Sequence, residues 1–210
     1  MGVSLTRTAG TPTSKKKFTF SVWYKKTTIR DYGASTSDGF FFNSSSNNDN
    51  RLGLMINQEN SPYDQVRLVG RNSGSQILDL RTDAILRDPS AWYHIVAKVD
   101  TTQSTNTNRA KLYINGVEQA LDTNSYPNQD VELEIHHTPY VLSYGGSSNY
   151  LEGYVTHFHY TDGYAYDAST FGETDSTSGI WKPKPSPSGV TYGTNGFFLK
   201  FENSGAMGTD

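Results

Sequence analysis

Phe18-Thr19-Phe20-Ser21-Val22-Trp23-Tyr24 is the stretch of sequence that decides the fold class. Large apolar side chains occupy every second position, and a β-strand projects alternate side chains to opposite faces of its sheet. Trp23 places a further large ring on the second face. Bulky residues on both faces are typical of a central strand in a layered sheet. The stretch therefore predicts an all-β protein in which this strand is covered on both sides.

Short apolar segments separated by turn-forming residues extend this pattern along the chain. The clearest pair of strands is predicted at residues 92–100 and 109–114, followed by a turn at Asn115-Gly116 that needs positive φ and a strand at residues 117–121. We expect Trp92 and Leu112 to lie in the core between two sheets. Further strands are predicted at residues 39–43, 51–57, 65–69, 76–80, 131–135, 140–144, 151–160 and 197–201.

The composition argues against several other classes of protein. The 210 residues carry a net charge of −3, and 23 serines, 23 threonines and 15 asparagines disfavour a helical bundle. The absence of cysteine removes disulfides, thiolate metal sites and cysteine nucleophiles. The longest purely apolar run is Phe40-Phe41-Phe42, so membrane insertion is not expected. The basic clusters are too small to predict nucleic-acid binding.

Four segments resemble, in order and spacing, the laminin-G-like and concanavalin-A-like jelly roll. They are FTFSVW at residues 18–23, AWYHIVAKVD at 91–100, KLYINGV at 111–117 and LEGYV at 151–155. The resemblance implies a two-sheet antiparallel jelly-roll sandwich, and we interpret residues 1–210 as a single domain of this kind. It also implies that His94 is a structural histidine whose ring packs or hydrogen-bonds locally.

Flanking segments make the resemblance more specific, since they are similar to the lectin-like domains carried by structural proteins of marine bacteriophages. These segments are SLTRT at residues 4–8, DGYA at 162–165, FGETD at 171–175, GIWKP at 179–183 and YGTNGF at 192–197. The resemblance implies a location on the surface of the phage particle, the virion.

Two segments are interpreted as crossing the surface of the domain, an N-terminal arm of residues 1–14 and a proline-rich strap of residues 181–189. Pro183, Pro185 and Pro187 lack backbone donors and favour an extended polyproline conformation. The strap is therefore not expected to join a sheet. An ordinary linker to the last strand is the alternative interpretation.

Recognition of a carbohydrate would use exposed aromatic faces together with amide, carboxylate and glycine groups, and several loops offer these residue types. His157 and His159 are two residues apart, so a strand would place both on one face, which we expect to be exposed and rich in aromatic residues. The ligand-binding residues predicted on this basis are Asn47, Asp49, Tyr63, Tyr144, Asn149, His157 and His159.

Calcium is the metal that the resemblance implies, held in rim loops by carboxylate and carbonyl oxygens. Candidate oxygen donors are Asp38, Asp49, Asp64, Asp122, Asp130 and Asp162. No dense run of carboxylates singles out a calcium site, so the metal stays open. His157 and His159 could contribute to a zinc or nickel site, but a third ligand is not apparent in the sequence.

A single predicted strand provides the argument for an enzyme. Glu132, Glu134 and His136 alternate in VELEIH at residues 131–136, which resembles the Glu-x-Asp-x-Glu strand of concanavalin-A-like glycosidases. Two carboxyl groups about 5 to 5.5 Å apart support retaining hydrolysis. His136 stands where the final acid would be, which removes the general acid. We therefore expect a solvated acidic strand face and no enzyme.

The sequence thus predicts a non-catalytic structural protein of a bacteriophage that binds glycans of the host surface, as an adhesin or tail-fibre module. The first alternative is a capsid decoration or minor structural protein whose partners are other virion subunits. The second alternative is a glycoside hydrolase. A homo-oligomer is compatible with either structural role.

Overall fold

The computed structural model describes residues 4–27, 39–58 and 61–209, and these residues form an all-β structure. The strands in chain order are β1 (Leu5–Thr6), β2 (Lys17–Lys25), β3 (Gly39–Asn47), β4 (Asn50–Asn57), β5 (Gln65–Asn72), β6 (Ser75–Ile85), β7 (Tyr93–Asp100), β8 (Ala110–Ile114), β9 (Val117–Glu118), β10 (Leu121–Ser125), β11 (Pro139–Val141), β12 (Tyr154–Asp162), β13 (Gly172–Thr174), β14 (Trp181–Pro183) and β15 (Phe197–Leu199). Two short 3₁₀ turns lie at Asn106–Asn108 and Ala168–Thr170. Within the described ranges, no helix has the length and apolar character needed to cross a bilayer.

Two antiparallel sheets stack face to face. The seven-stranded sheet has the order β1-β11-β3-β4-β5-β6-β10, the six-stranded sheet has the order β15-β12-β2-β7-β8-β9, and β13 pairs separately with β14. Side chains from both sheets meet in one core, where the rings of Phe20 in β2 and Phe42 in β3 are 4.4 Å apart. The fold is a two-sheet jelly-roll sandwich, so the predicted fold class is confirmed.

Strand β2 lies between β12 and β7 in the middle of the six-stranded sheet. Phe18, Phe20 and Val22 are fully buried in the core. Thr19 and Ser21 are fully buried on the opposite side of the same strand. The prediction of a strand covered on both sides is therefore confirmed.

The predicted strands β7 and β8 pair with each other, and the predicted turn follows β8. The prediction that Trp92 lies in the core is wrong. Asn115 and Gly116 have φ values of 50° and 81°, and a Cβ atom on Gly116 would come within 2.7 Å of the Trp181 ring. Leu112 is only 1% exposed, whereas Trp92 is 41% exposed. Strand β7 begins at Tyr93, and its core face consists of Ile95, Ala97 and Val99. Trp92 therefore lies outside the ladder, where nothing forces its ring inward.

Two of the predicted strands are wrong. Residues 131–135 do not pair with another strand, although Leu133 and Ile135 are buried in the core. Residues 117–121 are divided between the sheets, because Val117–Glu118 pairs with β8 and Leu121 pairs with Thr82 of β6. In the first segment alternate apolar residues pack inward without pairing, whereas in the second Val117 is 64% exposed and Leu121 packs against the core.

The predicted strap and arm are held by the body of the domain. Trp181–Pro183 pairs with Gly172–Thr174, so the expectation that the strap joins no sheet is wrong at its first three residues. The ladder tolerates Pro183 because the proline lies at its end, where a missing donor costs little. In the arm, Leu5–Thr6 pairs with β11.

The carboxylate of Asp162 ties the arm to the C-terminal part of the chain. It is fully buried and accepts hydrogen bonds from the backbone N–H groups of Thr13 (2.9 Å), Ser14 (3.2 Å) and Asn195 (3.0 Å). Hydrogen bonds to a charged acceptor are stronger than those between neutral groups. Asp162, a candidate calcium ligand in the sequence, therefore has a structural role in the fold.

We expect Asp162→Ala to lower the free energy of unfolding by about 2–4 kcal/mol, because it leaves buried N–H donors without an acceptor. The measurement is equilibrium denaturation followed by tryptophan fluorescence. Asp83→Ala is the matched control, since Asp83 is exposed. Equal stability of the two variants would contradict the assigned role.

Candidate functional site

The outer faces of the two sheets differ in what covers them. The chain segment of residues 163–196 lies over the outer face of the six-stranded sheet. The Thr19 hydroxyl donates to the carbonyl of Tyr164 (3.1 Å) and accepts from the N–H of Tyr166 (2.8 Å), and Ala168 packs with Val96 and Tyr113. The part of this face around Thr19, Val96 and Tyr113 is therefore part of the protein interior, whereas the side chains of Lys98 and Lys111 remain partly exposed.

His94 is a buried member of this covered face. The indole Nε1–H of Trp181 donates to His94 Nδ1 at 2.9 Å. An indole can only donate, so Nδ1 is unprotonated and Nε2–H donates to the Ser21 hydroxyl at 2.8 Å. Burial lowers the pKa of His94 to about 3, which keeps the ring neutral. The structural role that the sequence resemblance implies agrees with these contacts.

His159 is also buried, so the expectation of an exposed histidine pair is wrong for this residue. It is 1% exposed, and its ring stacks on Phe198 with a centroid distance of 3.8 Å. Its Nδ1 lies 2.9 Å from the Tyr192 hydroxyl, and burial lowers its pKa to about 3. A bulge in β12 gives His157 a φ of 48°, and its half-buried ring also packs near Phe198. A ligand in solvent cannot reach His159.

The outer face of the seven-stranded sheet has a different composition. Phe40, Met55 and Val69 form a small cluster there, and the half-buried Tyr144 packs against it with its ring 5.2 Å from that of Phe40. Tyr144 belongs to a loop of residues 142–151 that runs beside β3. The Tyr144 hydroxyl donates to Asn48 Oδ1 (2.9 Å), which fixes the position of the ring.

Four half-buried arginines lie on this same outer face. They are Arg51 of β4, Arg67 and Arg71 of β5 and Arg81 of β6. Arg67 forms a bidentate ion pair with Asp79 in which both N···O distances are 2.8 Å. The guanidinium of Arg51 lies 5.7 Å above the Tyr144 ring and donates to Asn48 Oδ1 (2.9 Å).

The arginines were not predicted from the sequence as site residues. Arg67 lies in the predicted strand of residues 65–69, whereas Arg71 lies two residues beyond its predicted end, and only the observed strand β5 places both on one face. Their juxtaposition with Arg51 and Arg81, however, depends on the pairing of β4, β5 and β6, which the sequence alone did not specify.

The structure brings some of the predicted ligand-binding residues together and separates others. Asn47 and Asp49 are at the β3–β4 turn, whose Asn48 contacts Tyr144, while Asn149 accepts from the N–H of Phe40 further along the loop. Tyr63 lies between β4 and β5, at the opposite end of these strands. His157 and His159 belong to the other sheet.

A cluster of potential metal ligands lies at Glu134, His136 and His137, whose ligand atoms are all within 4.8 Å of one another. Glu134 Oε2 is 2.6 Å from His137 Nε2 and 3.7 Å from His136 Nδ1. Two imidazoles and one carboxylate are a donor set that suits zinc better than calcium. These contacts do not support the carboxylate pair that the glycoside hydrolase alternative requires, because Glu134 contacts the histidines and Glu132 pairs with Lys15 at 3.5 Å.

The candidate calcium donors do not converge in the described residues, and Asp38 lies outside them. Asp64 forms a buried ion pair with Lys26 (2.6 Å), and Asp130 contacts Lys16 (3.2 Å). Asp122 accepts from Gln65 at 3.4 Å, and Asp49 lies at the β3–β4 turn. Calcium binding stays a prediction.

Comparison with known proteins agrees with this geometry. The family model described as the concanavalin A-like lectin/glucanases superfamily matches residues 2–162. No curated protein matches the sequence.

The chain is similar to several solved structures. The binding domain of botulinum neurotoxin serotype G is 9% identical with a TM-score of 0.54, covering 79% of this chain and 38% of that one. Full-length tailspike protein 2 from the Escherichia coli O157:H7 bacteriophage CAB120 is 11% identical with a TM-score of 0.51, covering 80% and 22%. A heptameric pentraxin from Limulus polyphemus is 12% identical with a TM-score of 0.47, covering 72% and 65%. The chain spans less than two thirds of each of these structures.

The buried histidines predict a loss of stability in acid. An unfolded histidine binds a proton below pH about 6.5, whereas His159 in the folded protein stays neutral down to a pKa of about 3. The unfolded state therefore binds more protons in this window, and the free energy of unfolding falls as the pH decreases from about 6.5 towards 3. His159→Gln should reduce this slope by up to about 1.4 kcal/mol per pH unit.

The measurement is the free energy of unfolding by urea at a series of pH values from just above the folded pKa of about 3 to just above the unfolded value of 6.5. Tyr192→Phe is the control, because it removes the hydroxyl beside His159 but keeps the imidazole, so its slope should equal that of the wild type. A His159→Gln slope equal to that of the wild type would show that the ring is not held neutral.

Proposed function

Because the chain belongs to the concanavalin A-like lectin/glucanases superfamily, we propose that it is a non-catalytic protein that binds carbohydrate on the outer face of its seven-stranded sheet. The observation that carries this proposal is the contrast between the two outer faces. The face of the six-stranded sheet is covered by residues 163–196, whereas the other face presents half-buried polar and aromatic side chains to solvent.

The chemistry of the seven-stranded face supports binding of a ring that is apolar on one side and polar at its edge. The Tyr144 ring offers a flat apolar surface, held by Asn48 and Phe40. The turn carrying Asn47 and Asp49 adds amide and carboxylate groups beside it. Binding sites typically combine apolar or aromatic surface with a few fixed polar groups.

We also propose that the protein is exposed on a phage particle and attaches to glycans of the host surface. The support is the sequence resemblance of the flanking segments to phage structural proteins. The capsid-decoration alternative would use the arm or the strap as a contact surface. Both segments make contacts within the chain, Leu5–Thr6 with β11 and Trp181 with His94, which favours the attachment role.

The Tyr144→Ala variant should bind its glycan about tenfold more weakly, equivalent to about 1.4 kcal/mol, because the flat ring is lost. The measurement is a glycan array with and without a chelator, followed by titration calorimetry on the best glycan. Tyr154→Ala is the matched control, since Tyr154 is 61% exposed and begins β12 of the other sheet.

Binding to no glycan, with or without the chelator, would contradict the proposal and favour the decoration role. Loss of binding with the chelator alone would place calcium in the site. Hydrolysis of a bound glycan would contradict the non-catalytic assignment.

A further inference from the structure

We infer that the glycan bound by the seven-stranded face is acidic, carrying carboxylate or sulfate groups at more than one position. This inference rests on the proposed function, and it is carried by the four arginines of that face. It names a class of ligand that the fold by itself does not specify, because the fold is shared by domains with different ligands.

The arrangement of the arginines in the sheet lowers the stability of the folded protein when no ligand is bound. In the antiparallel register, Arg51 lies directly opposite Arg71, and Arg67 lies directly opposite Arg81. Side chains that are directly opposite in neighbouring strands are close, and like charges in such positions are destabilising. The chain as a whole has a net charge of −3, so the positive charge is a local feature of this face.

The protein's own carboxylates balance only part of this charge. Asp79 accepts the bidentate pair from Arg67 and a further hydrogen bond from Gln76 (3.1 Å). Across the described ranges, Arg51, Arg71 and Arg81 form no ion pair with a carboxylate. The Nε atoms of these three arginines are buried and have no hydrogen-bond acceptor in the described structure. These unmet donors lower the stability of the protein alone, and an anion that contacts the accessible part of the half-buried guanidinium groups would offset this loss.

The chemistry of the guanidinium group indicates which kind of ligand could supply the missing acceptors. The planar fork of arginine matches the two oxygens of a carboxylate or the oxygens of a sulfate, and it forms two parallel hydrogen bonds with them. Arg51 is already oriented by Asn48 and by the Tyr144 ring. An acidic sugar whose ring packs on Tyr144 would therefore place its acid group within reach of Arg51.

The length of the arginine array indicates an oligosaccharide. Arg67 and Arg71 are four residues apart on β5, which corresponds to about 13 Å along the strand. One sugar ring does not bridge this distance. A chain with acidic groups on successive sugars can contact both the Arg51–Arg71 pair and the Arg67–Arg81 pair.

The test compares matched acidic and neutral probes by titration calorimetry on the full chain. The probes are hexagalacturonate against its fully methyl-esterified form, dextran sulfate against dextran, the galacturonate monomer, and a single-stranded DNA oligonucleotide. The inference predicts that at least one acidic polymer binds tenfold or more tightly than its neutral counterpart and more tightly than the monomer and the DNA. Binding of that polymer should weaken as salt is added, because ionic contacts are screened.

The variants are Arg71→Gln and Arg81→Gln, with Arg87→Gln as the control that removes the same charge from an exposed position outside the sheets. We expect each of the first two to weaken the acidic probe at least fivefold, while Arg87→Gln changes binding less than twofold. The free energy of unfolding by urea should be equal to or above that of the wild type for Arg71→Gln and Arg81→Gln. Each substitution relieves the repulsion between two arginines that lie opposite each other. A loss of binding that merely follows a loss of stability would overturn the inference.

Failure of this inference can be distinguished from failure of the proposed function. If neutral glycans bind as tightly as acidic ones and Tyr144→Ala still weakens them, the inference is overturned and the proposed function stands. If no glycan binds, both are overturned. Tighter binding of the DNA oligonucleotide than of every glycan would also overturn the inference.

Discussion

The structure depends on the burial of one outer sheet face by the chain's own residues 163–196. This second interior layer contains polar groups, and burying a polar group lowers stability unless it finds a partner, as Trp23 Nε1 and His159 Nε2 do not in the described structure. Thr19 exchanges hydrogen bonds with the backbone at Tyr164 and Tyr166, and His94 is satisfied between Ser21 and Trp181. Asp162 closes the layer by accepting from three backbone donors of distant segments. The covered outer face of the six-stranded sheet therefore serves to stabilise the fold.

We propose that the ligand binds the outer face of the seven-stranded sheet, where several interactions lower the stability of the protein alone. Arginines lie opposite arginines, and three buried Nε atoms lack acceptors in the described structure. Local arrangements that lower stability are expected mainly at functional sites, because elsewhere they bring no compensating gain. Burial explains why His159 is a poor candidate. Its ring is 1% exposed and packs on Phe198, so a ligand in solvent cannot reach it, although its Nε2 has no hydrogen-bond partner in the described structure.

The sequence was sufficient to predict the fold class but only part of the site. The alternation in residues 18–24 and the turn at Asn115-Gly116 have local causes, which periodicity and positive φ identify directly. The core position predicted for Trp92 and the strand predicted at residues 131–135 were wrong. Apolar spacing indicates which side chains can pack together, but where a strand begins and ends depends on partners that are distant in the sequence. The arginines were missed for the same reason, since their pairs form only when β4, β5 and β6 align in this register. Tyr144, whose role in binding stays a prediction, could be proposed from the sequence because a ring beside a polar loop is visible without any tertiary information.

The proposed ligand site on the outer face of the seven-stranded sheet can be located by a two-dimensional ¹H–¹⁵N NMR titration of the labelled protein with the best glycan from the array. The titration reports every backbone amide without mutation. We expect the largest shift changes in Asn50–Asn57, Gln65–Asn72, Ser75–Ile85 and the loop around Tyr144, together with the Nε–Hε signals of the arginines. Changes concentrated in residues 163–196 or in Tyr93–Asp100 would contradict the proposed site.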